Sequence, residues 1–313
     1  MMTLRRWCAV VGLVSLGLGI LGAGSGCRRD VTTQAAVRTV TDAAGQPVAI
    51  RDVSRVVAAG GSVTEIVYAL GAESALVGCD ASSLYPEAAT KLPQVGYVRA
   101  LSSEGVLSLR PTLVLTVPEA GPPEALAQLR ASGTPVLTVP ADHSLEGVRR
   151  KIRAVAQALD REAQGEALIR QLEADMAQVQ TYLAERPARP KVMFIYARGQ
   201  GAANVAGRDT AAAEMIRLAG GVNAFDFEGY KPLTAEAAVA AAPEVILLPA
   251  RGLESSGGIA GVLSMPGVNQ TPAGRNRRIV AVDDLLLLGF GPRTGQGVME
   301  LARLLHPENA PEK

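Results

Sequence analysis

"LSSEGVLSLRPTLVL" (101–115) and "LTAEAAVAAAPEVIL" (233–247) align without a gap. Leu101 falls on Leu233, Glu104 on Glu236 and Pro111 on Pro243, and an apolar run follows each proline. Each copy opens with apolar residues at helical spacing. It ends at a proline, which cannot continue a helical hydrogen-bond ladder, and then reads as a short buried strand. A second pair repeats upstream of the first: "TEIVYALGA" (64–72) resembles "AEMIRLAGG" (213–221), with glutamate second and glycine near the end of each. Helix–strand units recurring in the same order predict two similar α/β lobes.

The rest of the chain fits that reading. "SRVVAAG" (54–60), "TLVLT" (112–116) and "PVLTV" (135–139) are short apolar runs separated by helical periodicity. From Ser144 to about Arg186 the pattern is purely helical, charged and glycine-poor. "PKVMFIYA" (190–197), "EVILLPA" (244–250) and "RRIVAVD" (277–283) then restart the alternation. The expected architecture is α/β, with two Rossmann-like lobes on parallel central sheets. A long backbone helix joins them and a ligand cleft lies between. The N-terminal lobe is expected over 51–143, the helical connector over 144–187 and the C-terminal lobe over 188–313. A helical spine limits hinge motion, so small lobe movements are expected.

The first 27 residues differ in kind. Arg5 and Arg6 precede an apolar run, Trp7 to Leu21, and "GAGSGC" ends at Cys27. This is a signal-peptide pattern, which places the mature protein in the periplasm or on the extracytoplasmic membrane surface. Cleavage before Cys27 would leave a lipid-bearing cysteine, as in bacterial lipoproteins. Gly24 stands where such signals carry leucine, so cleavage to a soluble exported form stays open. Residues 28–50 read as a linker. Cys79 is then the only other mature cysteine, so no disulfide framework is expected.

Composition excludes several function classes. Of 313 residues 48% are apolar and 19% charged, with a formal net charge of +1. There is no basic excess for nucleic acid or for a polybasic membrane contact, so any membrane association falls to Cys27. Two histidines, His143 and His306, give no Cys/His zinc pattern and read as structural or solvated. No GxxxxGK[ST], HExxH or GxSxG motif is present, and no carboxylate pair is placed for catalysis, so no enzyme is expected. "GFGPRT" (289–294) reads as a tight turn entering the last helix, with Thr294 as its cap.

"QVGYVRALSSEGVLSLRP" (94–111) sets an ionisable phenol, Tyr97, and a guanidinium, Arg99, on a flexible loop tip ahead of the repeated helix. Neither residue has a counterpart in the repeat, and that asymmetry concentrates the ligand reading on them. Tyr196 ends its strand where it lines the cleft or packs, and Tyr230 and Met215 are weaker candidates.

Export, two lobes and a helical connector resemble the periplasmic substrate-binding proteins of vitamin B12, siderophore and heme importers. "GYVRALSSEGVLSLRP" and "ARGLESSGGIAGVLSMPGVNQTPAGRNRRIVAVDDLLLLGFGPRT" (250–294) are similar to the heme-binding members, over roughly residues 50 to 305. The resemblance implies ferric heme as the carried ligand and Tyr97 as the axial ligand to its iron. Ferric iron is a hard ion that favours an anionic oxygen, and tyrosinate is a proximal heme ligand elsewhere. A phenol titrates near 10 in model peptides, so coordination and a nearby cation must help it ionise. Arg99 reaches the phenolate or a propionate, and Arg251 closes over the phenolate from the other lobe. The resemblance also implies that Glu104 and Glu236 dock a dimeric permease of an ATP-driven importer; without it they are first-turn acids favoured by the helix dipole. A monomer is expected, and the lack of a histidine between His143 and His306 argues for one heme. A ferric siderophore or a corrinoid on the same fold is the alternative, and an exported enzyme or sensor a more distant one.

Overall fold

The computed structural model describes residues 37–197 and 203–307, so the signal peptide expected over 1–27 and Cys27 lie outside the described residues. The described chain starts with an antiparallel hairpin, β1 (Arg38–Thr41) and β2 (Pro47–Ile50). At its turn Asp42 Oδ1 accepts the amides of Ala44 and Gln46, each at 2.8 Å. Strand alternation puts Val40 and Ile50 on one face, and both are buried in the core. The linker expected over 28–50 is therefore packed structure from residue 38 onward.

The N-terminal lobe follows in chain order as β3 (Val56–Ala59), α1 (Gly61–Ala69), β4 (Leu76–Cys79), β5 (Gly96–Tyr97) and β6 (Ala100–Leu101). It continues through α2 (Ser103–Ser108), β7 (Leu113–Thr116), α3 (Pro123–Ala131) and β8 (Val136–Thr138). Its central sheet is parallel in the order β4-β3-β7-β8. Every residue of β3 and β7 is buried, which is why these strands read as unbroken apolar runs instead of alternating ones.

The connector is two helices, α4 (Leu145–Leu159) and α5 (Glu162–Ala184), where the sequence predicts one. Asp160 between them takes the left-handed conformation, φ 60, and the chain doubles back. Ion pairs from Arg149 to Glu173 (3.1 Å) and Arg153 to Glu166 (2.7 Å) record the antiparallel alignment. Helix α4 belongs with the N-terminal lobe, since it packs on α1 and β1. Helix α5, about 34 Å long at 1.5 Å per residue, spans between the lobes and packs along the last helix of the chain.

The C-terminal lobe contains β9 (Lys191–Tyr196), β10 (Asn204–Ala206), α6 (Ala211–Leu218), β11 (Val222–Asn223), β12 (Tyr230–Pro232), α7 (Ala235–Ala241) and β13 (Val245–Pro249). Helices α8 (Ala250–Ser255), α9 (Gly258–Leu263) and α10 (Pro272–Arg275) precede β14 (Ile279–Val282), α11 (Asp284–Leu288) and α12 (Thr294–Leu305). Its sheet is mixed, in the order β12-β10-β9-β13-β14 with β11 beside β9. The strands β9, β11, β13 and β14 are parallel, as expected of a central sheet, and β10 runs antiparallel to both of its neighbours, β9 and β12, at one edge. Val192, Phe194, Val245 and Leu247 face a core shared with the helices and the first lobe. Met193, Ile195, Ile246 and Leu248 face a second core on the opposite side.

The repeat persists to the level of backbone angles. Ser102 caps α2 by accepting the Gly105 amide at 2.9 Å, and Thr234, at the matching position, caps α7 by accepting the Ala237 amide at 3.2 Å. After these helices Arg110 and Ala242, also matched, are both left-handed, with φ 48 and 45. The strands that follow, β7 and β13, begin at matched residues Leu113 and Val245.

Candidate ligand site

The carboxyl ends of parallel strands are where α/β folds gather ligand groups. In the first lobe the chain leaves β4 through residues 80–95 and turns back in the hairpin β5–β6, pairing Tyr97 with Ala100. Tyr97 and Arg99 flank Val98, whose side chain is buried (8% exposed) while Tyr97 keeps 38% of its surface. The Gly121 amide donates to the Val98 carbonyl at 2.9 Å and the Leu101 amide to the Gly121 carbonyl at 2.7 Å. The flexible tip expected from sequence is thus a braced turn: its central residue is core, and its backbone is bonded to the loop after β7.

On the second lobe Tyr196 ends β9 and Tyr230 begins β12, with ring centroids 6.2 Å apart and tilted by 60°. Phe194 meets the same Tyr230 ring at 6.4 Å. Burial pushes the Tyr230 phenol above its usual range and the neighbouring Tyr196 pushes the same way, while Arg99 pulls it down. A cation of the first lobe therefore lies within electrostatic reach of a tyrosine of the second. The structure brings Arg99, Tyr196 and Tyr230 into one neighbourhood. Lys231, next in sequence, holds its ammonium 4.7 Å over the Phe227 ring.

Tyr230 corrects the sequence reading that Tyr97 has no counterpart. Gly96 and Gly229 both take positive φ, 99 and 71, each is followed by tyrosine, and each leads into the matched leucine and helix cap. The second copy is one residue shorter between glycine and leucine, so a gap-free alignment sets Gly229 against Tyr97 and hides the pair.

Arg251 stands exposed on the first turn of α8, its amide donating to Asp284 Oδ1 at 3.1 Å. Its guanidinium makes no hydrogen bond or ion pair among the described residues. Glu104 and Glu236 are exposed on the first turns of α2 and α7, at equivalent places on the two lobes. His143 lies over Phe290 with ring centroids 5.5 Å apart, and burial pushes its imidazole down. His306 ends α12, where its carbonyl accepts the Tyr182 hydroxyl at 2.8 Å. A hollow of about 540 Å³ between α5 and α12, lined by Asp175, Gln178, Gln296 and Met299, touches none of the candidate residues.

Sequence reasoning missed the contacts that fix the lobes together. Arg293 forks onto Glu65, Nε to Oε1 at 2.7 Å and Nη2 to Oε2 at 3.1 Å, and its guanidinium also lies 3.5 Å over the Tyr85 ring. Glu65 is 4% exposed; burial pushes its carboxyl up, against the opposing hydrogen bonds from Arg293. Lys151, 2% exposed, donates to Ser62 Oγ and to the Phe290 carbonyl, both at 3.1 Å. "GFGPRT" is therefore a latch onto the first lobe. Thr294 does not cap α12; its hydroxyl donates back to the Gly291 carbonyl at 2.7 Å.

A family model described as periplasmic binding protein matches residues 56–285. The chain belongs to the periplasmic binding protein family. Among curated relatives of this periplasmic binding protein, an uncharacterized ABC transporter substrate-binding lipoprotein of Bacillus subtilis, YvrC, is 29% identical, over 88% of this chain and 87% of that one. A vitamin B12-binding protein of Vibrio vulnificus is 24% identical, over 77% of this chain and 86% of that one. Among solved structures, the periplasmic heme-binding protein RhuT from Roseiflexus sp. RS-1, in apo form, is 47% identical with TM-score 0.79, covering 81% of this chain and 98% of that one. The periplasmic heme-binding protein BhuT, in complex with two hemes, is 48% identical with TM-score 0.76, covering 80% and 97%.

Proposed function

We propose that this chain captures ferric heme outside the cytoplasm and delivers it to the permease of an ABC importer. The observation that carries the reading is Tyr97 on its braced turn beside Arg99, whose charge reaches Tyr230 of the other lobe. The two heme-binding structures at 47% and 48% identity support the same ligand. In this reading the Tyr97 phenolate is the axial donor to iron, a hard anionic oxygen for a hard cation. Arg99 and Arg251 supply positive charge for the phenolate and the propionates, and Tyr196 with Tyr230 forms the opposing aromatic wall. Nothing in this scheme turns over, and protonation of the phenolate gives a route to release. Glu104 and Glu236, spaced by the repeat, dock one permease subunit per lobe, where charge sets orientation and on-rate. Any tether to the membrane is a lipid on Cys27, with a soluble exported form as the alternative, and the protein acts as a monomer.

The test is an absorbance titration of apo-protein with hemin. A high-spin ferric spectrum should form in the wild type and disappear in Tyr97→Phe, and the end-point reads one heme against two. A spectrum unchanged in Tyr97→Ala would remove the ligand assignment. The vitamin B12-binding relative supports a second reading, a corrinoid cargo. Cobalamin binding that is indifferent to Tyr97→Phe, with no hemin spectrum, would select it.

A further inference from the structure

The hairpin bearing Tyr97 is not part of the first lobe's central sheet; β5 and β6 pair only with each other. Beside the Gly121 bonds described above, a buried carboxylate ties it to the lobe. Asp80, fully buried directly after β4, accepts the Val98 amide on Oδ2 at 3.1 Å. The same oxygen accepts the Ser82 amide at 2.8 Å, while Oδ1 accepts the Gly60 amide at 2.8 Å and the Ser83 hydroxyl at 2.9 Å. All four donors are neutral, and no ion pair balances the charge among the described residues. Burying a carboxylate is costly unless its lone pairs are filled, and here each oxygen takes two donors.

The amide it holds is the one that matters for the tip. The Val98 nitrogen shares a peptide plane with the Tyr97 carbonyl, so clamping it restrains the plane that carries Tyr97. With the Val98 carbonyl held by the Gly121 amide, the next plane, which carries Arg99, is restrained from the same residue. A ligand tyrosine must be held to within about 0.5 Å and 10–20° for productive geometry. We infer that Asp80 is the positioning residue of the ligand tip, orienting Tyr97 and Arg99 through the Val98 amide without touching the cargo. The inference rests on the reading of Tyr97 as the ligand.

Asp80→Asn places an NH₂ group where an oxygen received two donors, and Ser83→Ala removes one donor that does not reach the tip. Hydrogen exchange of apo-protein should show amides of 94–102 exchanging about tenfold faster in Asp80→Asn and unchanged in Ser83→Ala. Hemin dissociation should quicken about tenfold, with altered iron-to-tyrosinate absorbance, in Asp80→Asn alone. A folded Asp80→Asn protein with wild-type exchange over 94–102 and a wild-type ligand spectrum overturns the inference. Should Asp80→Asn fail to fold, the wild type decides. A Val98 amide protected like those of β3 supports the clamp, and one exchanging like exposed backbone overturns it. Faster exchange with hemin binding indifferent to both Asp80→Asn and Tyr97→Phe would leave the clamp standing and sink the heme reading instead.

Discussion

The two lobes carry the same glycine–tyrosine step and anchor it in opposite ways. Tyr230 begins β12, paired with Ala206 of β10, so the second tip is the edge of a six-stranded sheet. Tyr97 sits in a two-stranded hairpin outside its central sheet, held by the buried Val98 side chain and by Asp80. A sheet edge orients a side chain through its ladder, whereas a clamped turn can be re-aimed by altering one carboxylate. The duplicated unit shares its caps, its left-handed exits and its buried strands, and diverges at the glycine–tyrosine tips. Scaffold and presentation therefore separate within one repeat.

The largest expected difference between the lobes lies at Glu65 and Glu214, second in the paired segments "TEIVYALGA" and "AEMIRLAGG". Glu65 is buried against Arg293 of the other lobe; Glu214 pairs with Arg217 one helical turn away, and Arg217 is largely exposed. Glu65→Ala leaves a guanidinium partly buried without its partner and should cost about 3–5 kcal/mol. Glu214→Ala should cost under about 1 kcal/mol. Urea denaturation of both variants checks this, and equal costs would mean that the latch contributes nothing particular to the fold.

The latch also sets a pH dependence. Burial pushes the Lys151 ammonium down from 10.5 to about 8, against the attraction of Glu119 and Asp142. Between those values the unfolded chain holds the proton more tightly than the folded one, so this group's contribution to stability rises with pH. Relative to Lys151→Met, the wild type should gain about 2 kcal/mol between roughly pH 7.5 and pH 10. A parallel course of the two proteins would show that the lysine is hydrated in solution.

Glycine tests the tips themselves. A Cβ on Gly96, at φ 99, would lie 2.6 Å from the Ala100 carbonyl oxygen, whereas one on Gly229, at φ 71, meets nothing within 4 Å. Gly96→Ala combines a backbone penalty with a clash and should cost about 2 kcal/mol or more, with weakened hemin binding. Gly229→Ala carries only the left-handed penalty of about 1 kcal/mol. Reversed costs would break the contrast between clamped turn and sheet edge.

The parts of this architecture that sequence disclosed are those written at short range. Helix–proline–strand spacing reveals the duplicated units because caps, exits and buried strands depend on neighbours within one or two turns. The break at Asp160 left no glycine or proline to read, since aspartate itself tolerates the left-handed conformation. Tyr230 was hidden by the loss of one residue. Asp80 meets Val98 across 18 positions and Glu65 meets Arg293 across 228, and no local pattern announces either contact. Tyr97 and Arg99 were legible as chemistry, but what aims them lies elsewhere in the chain.

The smallest expected difference is the one that should nearly vanish. Ser102 and Thr234 occupy matched cap positions, and each accepts one amide of its helix's first turn, at 2.9 and 3.2 Å. Removing a side-chain cap typically costs about 1 kcal/mol, and serine caps slightly better than threonine. Ser102→Ala and Thr234→Ala should therefore each lose about 1 kcal/mol, the first by a few tenths more. The caps belong to different lobes and share no partner, so the double variant should equal the sum to within about 0.5 kcal/mol. Urea denaturation of the three proteins decides it. Near-equal, additive losses would place the symmetry of the lobes in the scaffold helices, leaving the difference between the lobes to the tips and the latch. A marked excess at Ser102 would instead tie that cap to the clamped turn directly ahead of it, because Ser102 alone separates the end of the hairpin from the start of its helix.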